Sequence, residues 1–243
     1  MAESSTPRIA SIASTLGKFA PFCVISALLG VQIGVVPPLI AFYVSALGLL
    51  VGLLALIIGI VAVIITRNAE DNAGRNAGLV GIVAGAAMFA TTAAIVGGGN
   101  NAPPINDITT NLDNPPAFAT AAEVPDFEGR DMSYPADFVE IVREHYSDLE
   151  PIRVSQDATG AYQKAIATAQ SLGWEIVHQD PQQLSINARE TSSIFKFVDD
   201  IVIRVLAEDG GAVIDVRSKS RDGKSDLGIN AARIREFAEA INR

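Results

Sequence analysis

The side chains best placed to do chemistry fall in one run, residues 192–235, SSIFKFVDDIVIRVLAEDGGAVIDVRSKSRDGKSDLGINAARIR. It sets strand-like segments, a turn, a loop dense in Arg, Lys, Ser and Asp, and a helix in direct succession. The loop 217–226 offers Arg217, Lys219, Arg221 and Lys224 together with Ser218, Ser220 and Ser225. Ser225 or Asp226 is placed to cap the helix that follows. A helix N-terminus presents free N–H groups and partial positive charge, so this stretch can hold an anion. The expected ligand is a phosphate, a carboxylate or a lipid headgroup, bound by Arg217 and Arg221 with Arg204 from the preceding strand. The competing reading is an ordered loop whose cations pair with Asp222, Asp226 and an acidic surface.

The carboxylates point elsewhere. Pairing Leu206 with Val213 across the turn at 208–211 places Arg204 opposite Asp215 and Val202 opposite Arg217. Facing opposite charges stabilise a sheet by roughly 0.2 to 1 kcal/mol, which favours a structural over a catalytic role for Arg204 and Asp215. Asp199 and Asp200 read as strand-entry residues, since no second acidic or His cluster has ligand spacing. No metal and no cofactor is therefore expected. A hydrolase using Asp199, Asp200 and Asp215 would need all three to converge in a cleft. His145 and His178 are the two histidines, both read as surface residues, and no Ser-His-Asp order stands out. No catalytic residue is assigned.

These residues must be carried by something apolar. Of 243 residues 49% are hydrophobic, and no charged side chain occurs between Lys18 and Arg67 or within 76–106. Such runs exceed the roughly 20 residues an α-helix needs to cross about 30 Å of hydrocarbon. The 48 residues 19–66 would make one helix about 70 Å long, so they must fold back. The break falls at 34–38, GVVPP, where two prolines remove backbone donors. Three transmembrane helices result, at about 19–33, 42–66 and 77–98, after a polar cytoplasmic tail, 1–18. Gly48 and Gly52, and Gly81 and Gly85, are small-xxx-small pairs suited either to packing these helices or to forming a groove that docks a partner.

Arg8, Lys18, Arg67 and Arg75 all fall in the tail and the loop after the second span, which the positive-inside rule places in the cytoplasm. Three crossings then export the remainder, expected to be periplasmic, behind a bacterial inner membrane. Residues 1–99 hold four Lys/Arg and three Asp/Glu, which leaves 14 basic and 24 acidic side chains and a net charge of −10 beyond them. So acidic a domain repels phosphate backbones, and nucleic acid is excluded as a partner. The single cysteine, Cys23, lies inside the first apolar run and reads as a packing residue.

Residues 99–133 are rich in Pro, Asn and Thr and read as an extended leader lying along a domain surface. The domain itself, 134–243, gives the order α-β-α-β-β-β-β-α. Its helices are expected at 137–145, at 158–172 with Asp157 as N-cap and Gly173 as stop, and at about 226–241. Strand patterns fall at 152–154, 174–178, 184–188, 195–197 joined with 201–206, and 212–218. The fold class is α+β, an antiparallel sheet with helices packed on one face, exported behind a three-helix transmembrane anchor.

The segments PPINDITTNLDNPPAF, LGWEI, TSSIFKFVDDIVIRV and IDVRSKSRDGKSDLGINAARIREF together resemble the DUF1499 family, a domain of unknown function, over 103–241. On its pattern fall Asp107, Thr109, Thr110, Trp174, Phe197, Asp199, Asp200 and Arg204. Further along, Asp215, Arg217, Ser218, Ser220, Arg221, Gly223, Asp226, Gly228, Asn230, Arg233 and Arg235 match it. Asn106 and Asn111 stand where the family more often has His and Asp, which weighs against a metal role for the leader. The resemblance implies no reaction. Similar domains in bacteria and chloroplasts point to assembly or maintenance of membrane complexes. The sequence thus predicts a membrane-embedded, non-enzymatic module that binds or helps assemble a membrane-protein partner, with a lipid or small-anion binder as the alternative.

Overall fold

The computed structural model describes residues 7–69, 72–96 and 102–243. The chain forms two compact units, Met1–Gly98 with Ser193–Lys196, and Gly99–Ser192 with Phe197–Arg243.

The first unit is built on α1 (Arg8–Gln32), α2 (Pro38–Thr66) and α3 (Ala73–Val96). All three are long and apolar enough to span a membrane. Gly34, at φ +73°, turns the chain out of α1, and Pro38 opens α2 at a position where its missing N–H costs nothing. The first span begins eleven residues earlier than expected, at Arg8 rather than Phe19, so most of the anticipated tail is helix. Its small residues explain this. Ala10, Ala13, Gly17 and Ala20 recur at three- and four-residue steps and are buried, a stripe on which a second helix can lie close.

Of the two uses open to the small-xxx-small glycines, packing and a docking groove, the structure shows packing, since they are closed against the chain's own helices. A Cβ at Gly81 would lie 2.7 Å from the Ala55 carbonyl and 2.9 Å from that of Ala13. At Gly48 it would meet Val24 Cγ2 at 2.7 Å, at Gly52 Met88 Sδ at 3.1 Å, and at Gly85 it would collide with the Gly52 carbonyl. They let α1, α2 and α3 pack together, and that use excludes them as a surface for a partner.

The second unit contains β1 (Asp107–Thr109), α4 (Phe138–His145), β2 (Ile152–Val154), α5 (Ala158–Ser171), β3 (Glu175–Asp180), β4 (Ser185–Thr191), β5 (Val198–Glu208), β6 (Gly211–Ser220) and α6 (Ile229–Ile241). The six strands form one antiparallel sheet in the order β1-β6-β5-β4-β3, with β2 continuing the edge along β6. Alternation along β5 sends Ile201, Ile203 and Val205 to the side covered by the helices, into a core with Tyr162, Ile234 and Phe237. Trp174 stacks on Phe237 there, with centroids 5.3 Å apart. Asp157 caps α5 by accepting from Gly160 N at 2.7 Å, and Gly173 ends it at φ +82°.

Two expectations are corrected. The leader lies along the domain surface as expected, but it is also part of the fold. Its Ile105 and Ile108 enter the main core, β1 pairs with β6, and Phe118, Val124 and Phe127 cover the opposite sheet face over Val202. The domain therefore includes the leader rather than starting at 134. Residues 195–197 are also not strand: Lys196 sits at φ +58°, and β5 begins only at Val198.

Candidate functional site

On the leader-covered face the strands line up an alternating row of charge. Register places Asp107 beside Lys219, Lys219 beside Asp200, Asp200 beside Arg189, and Arg189 beside Glu175, crossing five strands. Contacts close the row at its two ends. Lys219 Nζ lies 3.2 Å from Asp107, and Arg189 grips Glu175 through Nε and Nη2 at 2.8 and 2.7 Å. Asp200, fully buried, accepts from Arg130 at 2.6 Å and from Arg221 at 2.8 Å. Desolvation works to lower the pKa of Arg221, and its hydrogen bonds to Asp200 and Asp126 with the charges of those two carboxylates raise it on balance.

The next register row centres on Arg217, which is 2% exposed. Its Nε and Nη2 donate to the two oxygens of Asp107 at 2.9 and 2.7 Å. Nη1 donates to the Pro116 carbonyl at 3.2 Å, and Nη2 also to those of Met132 and Ser133 at 3.1 and 2.9 Å. The guanidinium lies between the rings of Phe118 and Tyr134, 4.8 and 5.2 Å from their centroids. Burial pushes the Tyr134 hydroxyl well above its ordinary range, and the Asp107 charge adds to this. A third row pairs Arg204 with Asp215 at 2.6 Å, with Asn111 donating to both carboxylate oxygens at 3.3 Å.

These arginines also fasten the leader. Arg204 donates to the Asn114 carbonyl at 2.7 Å, Arg189 to Asp126 at 2.8 Å, and Arg130 is itself a leader residue. Asn187 accepts from Ala119 N at 3.0 Å. The cations expected to await a ligand hold the chain's own backbone and carboxylates. Every donor on a forked guanidinium that finds a carbonyl or carboxylate inside is one fewer for an anion outside.

A second polar network lies on the helix side. Arg233 Nη2 donates to Asp199 at 2.6 Å, Nη1 to Ser218 Oγ at 3.0 Å and to Asn230 Oδ1 at 2.6 Å, and Nε to Glu190. Ser218 Oγ donates to Asn230 Oδ1, and Asn230 Nδ2 to Ser220 Oγ at 3.0 Å and the Asn106 carbonyl at 3.2 Å. Asp226 accepts from Gly228 N at 2.9 Å and Asn230 N at 2.8 Å, satisfying donors at the start of α6. Burial raises its pKa, and those two backbone bonds hold it back.

The anticipated single loop is thus divided by strand geometry. β6 runs to Ser220, so Arg217 and Lys219 face the leader while Ser218 and Ser220 face the helices. Lys224 is exposed, and Ser225 Oγ accepts only from Leu227 N, at 3.4 Å. Asp199 faces the helix side and Asp200 and Asp215 the leader side, each engaged by an arginine. The convergence a hydrolase requires is not there. Among the described residues no group of three His, Cys, Asp or Glu comes together. Sequence reasoning missed Arg130, Arg189, Asp126 and Glu175; a strand register carried two strands further, from Asp200 to Arg189 and on to Glu175, would have found two of them.

An antiparallel sheet with helices on one face and a leader stitched over the other, following three membrane-capable helices in the sequence, defines an α+β domain whose charged groups serve its own closure. Residues 107–241 match the family described as "Protein of unknown function (DUF1499)", and the chain belongs to that family. The three apolar helices lie outside the matched range. No curated protein matches the chain.

Proposed function

We propose that this chain is a membrane-anchored, non-enzymatic module that binds, and helps assemble, a protein partner in a membrane complex. The positions of Arg8, Lys18, Arg67 and Arg75 support a cytoplasmic N-terminus, with the sheet domain on the periplasmic side of a bacterial inner membrane. The observation that carries the reading is the internal use of the charged side chains, above all the burial of Arg217 with its donors committed to Asp107 and three carbonyls. A domain so closed acts through its surface. At the start of α6 that surface offers Leu227, 53% exposed and held at φ +56°, beside Ile229, 52% exposed. An apolar side chain kept in water on a strained backbone costs stability, and such outliers point to function.

An anion site at 217–226 lacks comparable support, because of its candidate ligands only Lys224 is free in solvent. The test is purification of the full-length protein from native membranes in gentle detergent, beside the double variant Leu227→Ser, Ile229→Ser. A stoichiometric protein partner is expected with the wild type and lost from the variant, whose melt is unchanged. Absence of any stoichiometric protein, or its full retention by the variant, overturns the proposal.

A further inference from the structure

We propose that the cleft between α1 and α3 binds one anionic phospholipid, with Lys18 and Asn76 taking its phosphate and Pro21, Leu79 and Val83 an acyl chain. The cleft, of about 690 Å³, lies wholly within the helical unit.

Depth is the first argument. Residues 19–32 are uncharged, fourteen in all, and rise about 21 Å, short of the roughly 30 Å hydrocarbon layer. For α1 to span, Lys18 must lie within the outer part of that layer. A lysine there extends its stem toward the headgroups, where phosphates lie. Lys18 is exposed and makes neither a hydrogen bond nor an ion pair among the described residues.

The end of the bundle toward which it reaches is defined by packing. A Cβ on Gly74 would meet Pro7 Cδ at 3.1 Å and Thr66 Cγ2 at 2.6 Å, so the starts of α1 and α3 and the end of α2 are level. Arg8, Arg67 and Arg75 gather at that end, and Asn76, in the first turn of α3, lines the cleft with Lys18. Farther in than Asn76 along α3, the walls are apolar and open: Leu79 is 42% and Val83 66% exposed. Its floor is closed, since a Cβ on Gly17 would lie 2.9 Å from Gly81 Cα.

A polar end at headgroup depth followed by an apolar slot matches a phospholipid lengthwise. A second copy packed two-fold through this face would bring one Lys18 ammonium against the other, and an apolar partner helix would bury the charge unpaired. Basic pockets between membrane helices recognise lipid phosphates by the same attraction.

Native mass spectrometry of the full-length protein in detergent tests this, with phosphatidylglycerol or phosphatidylcholine added at equal concentration. Wild type should retain phosphatidylglycerol about fivefold better, the effect of one lysine near the surface. Lys18→Gln should abolish that preference and Lys18→Arg keep it, while Val83→Phe, which fills the slot, should weaken retention of both lipids. Equal retention by the wild type overturns the proposal, as does a preference that survives Lys18→Gln or a retention unmoved by Val83→Phe. A dimer lost on Val83→Phe with lipid retention unchanged would assign the cleft to a second copy and also overturn it.

Discussion

Arg217 decides between a domain that binds with its arginines and one that is held together by them. Its partner Asp107 is fully buried, and removal of the cation leaves that carboxylate with Lys219 alone. Breaking a buried pair by removing one partner costs about 3 to 5 kcal/mol. Arg217→Met is therefore expected to lower the urea midpoint of the sheet domain by that equivalent, and Arg217→Lys by a smaller amount, since one ammonium cannot reproduce the fork. A ligand-binding arginine would give variants that melt like the wild type, and that result would refute the assignment. Titration distinguishes two other carboxylates by sign. Burial raises Asp226, so its contribution to stability is full below its unfolded pKa and is lost as pH rises through the folded value. The hydrogen bonds of Arg235 lower Asp148, so its contribution is present above the unfolded pKa and lost as pH falls. Melts from about pH 3 to pH 7 should show the wild type losing ground to Asp226→Asn as pH rises, and gaining on Asp148→Asn. Parallel trends for the two variants would contradict the burial of Asp226.

Among the elements, the leader departs furthest from its expectation. A fragment 134–243 loses β1, Asp107 and the hydrophobic cover of Val202, and leaves Arg217 without its carboxylate. It should fail to melt cooperatively, whereas 102–243 should do so; a cooperative 134–243 would return the leader to the status of a linker. The hairpin of β5 and β6 was legible because Gly210 and Gly211 mark the turn, and pairing outward from it puts Arg204 against Asp215 and Val202 against Arg217, as found. Local periodicity also revealed α5, with its cap and its glycine stop. What stayed hidden had physical causes. β1 is three residues set among prolines and asparagines, and its partner strand lies about 110 residues away, where no local pattern reaches. The end of β6 reads as loop because RSKS is polar at every position, and it is polar because both faces of the sheet are covered there by ion-paired networks rather than by hydrocarbon. Lone polar runs in a strand carry no alternation to detect. The start of α1 was hidden by its serines and threonines, whose helix is justified by the alanine and glycine stripe it buries.

At the scale of the molecule, the two units rest on different physics, and each carries its own reporter. Cys23 is the single cysteine, half-buried in α1; Trp174 is the single tryptophan, 4% exposed in the core of the sheet domain. The helical unit depends on close approach without side chains, so Gly48→Leu should force α1 from α2 beside Cys23, whose Cβ lies 3.7 Å from where the Gly48 Cβ would be. The sheet domain depends on buried charge pairs, to which Arg217→Met is the corresponding insult. Measured in full-length protein in detergent, Gly48→Leu should speed maleimide modification of Cys23 severalfold and leave the urea transition of Trp174 emission where it was. Arg217→Met should shift that transition and leave the Cys23 rate unchanged. If either variant moves both reporters, the stability of one unit is conditional on the other, and the charge pairs and the glycines belong to a single cooperative structure.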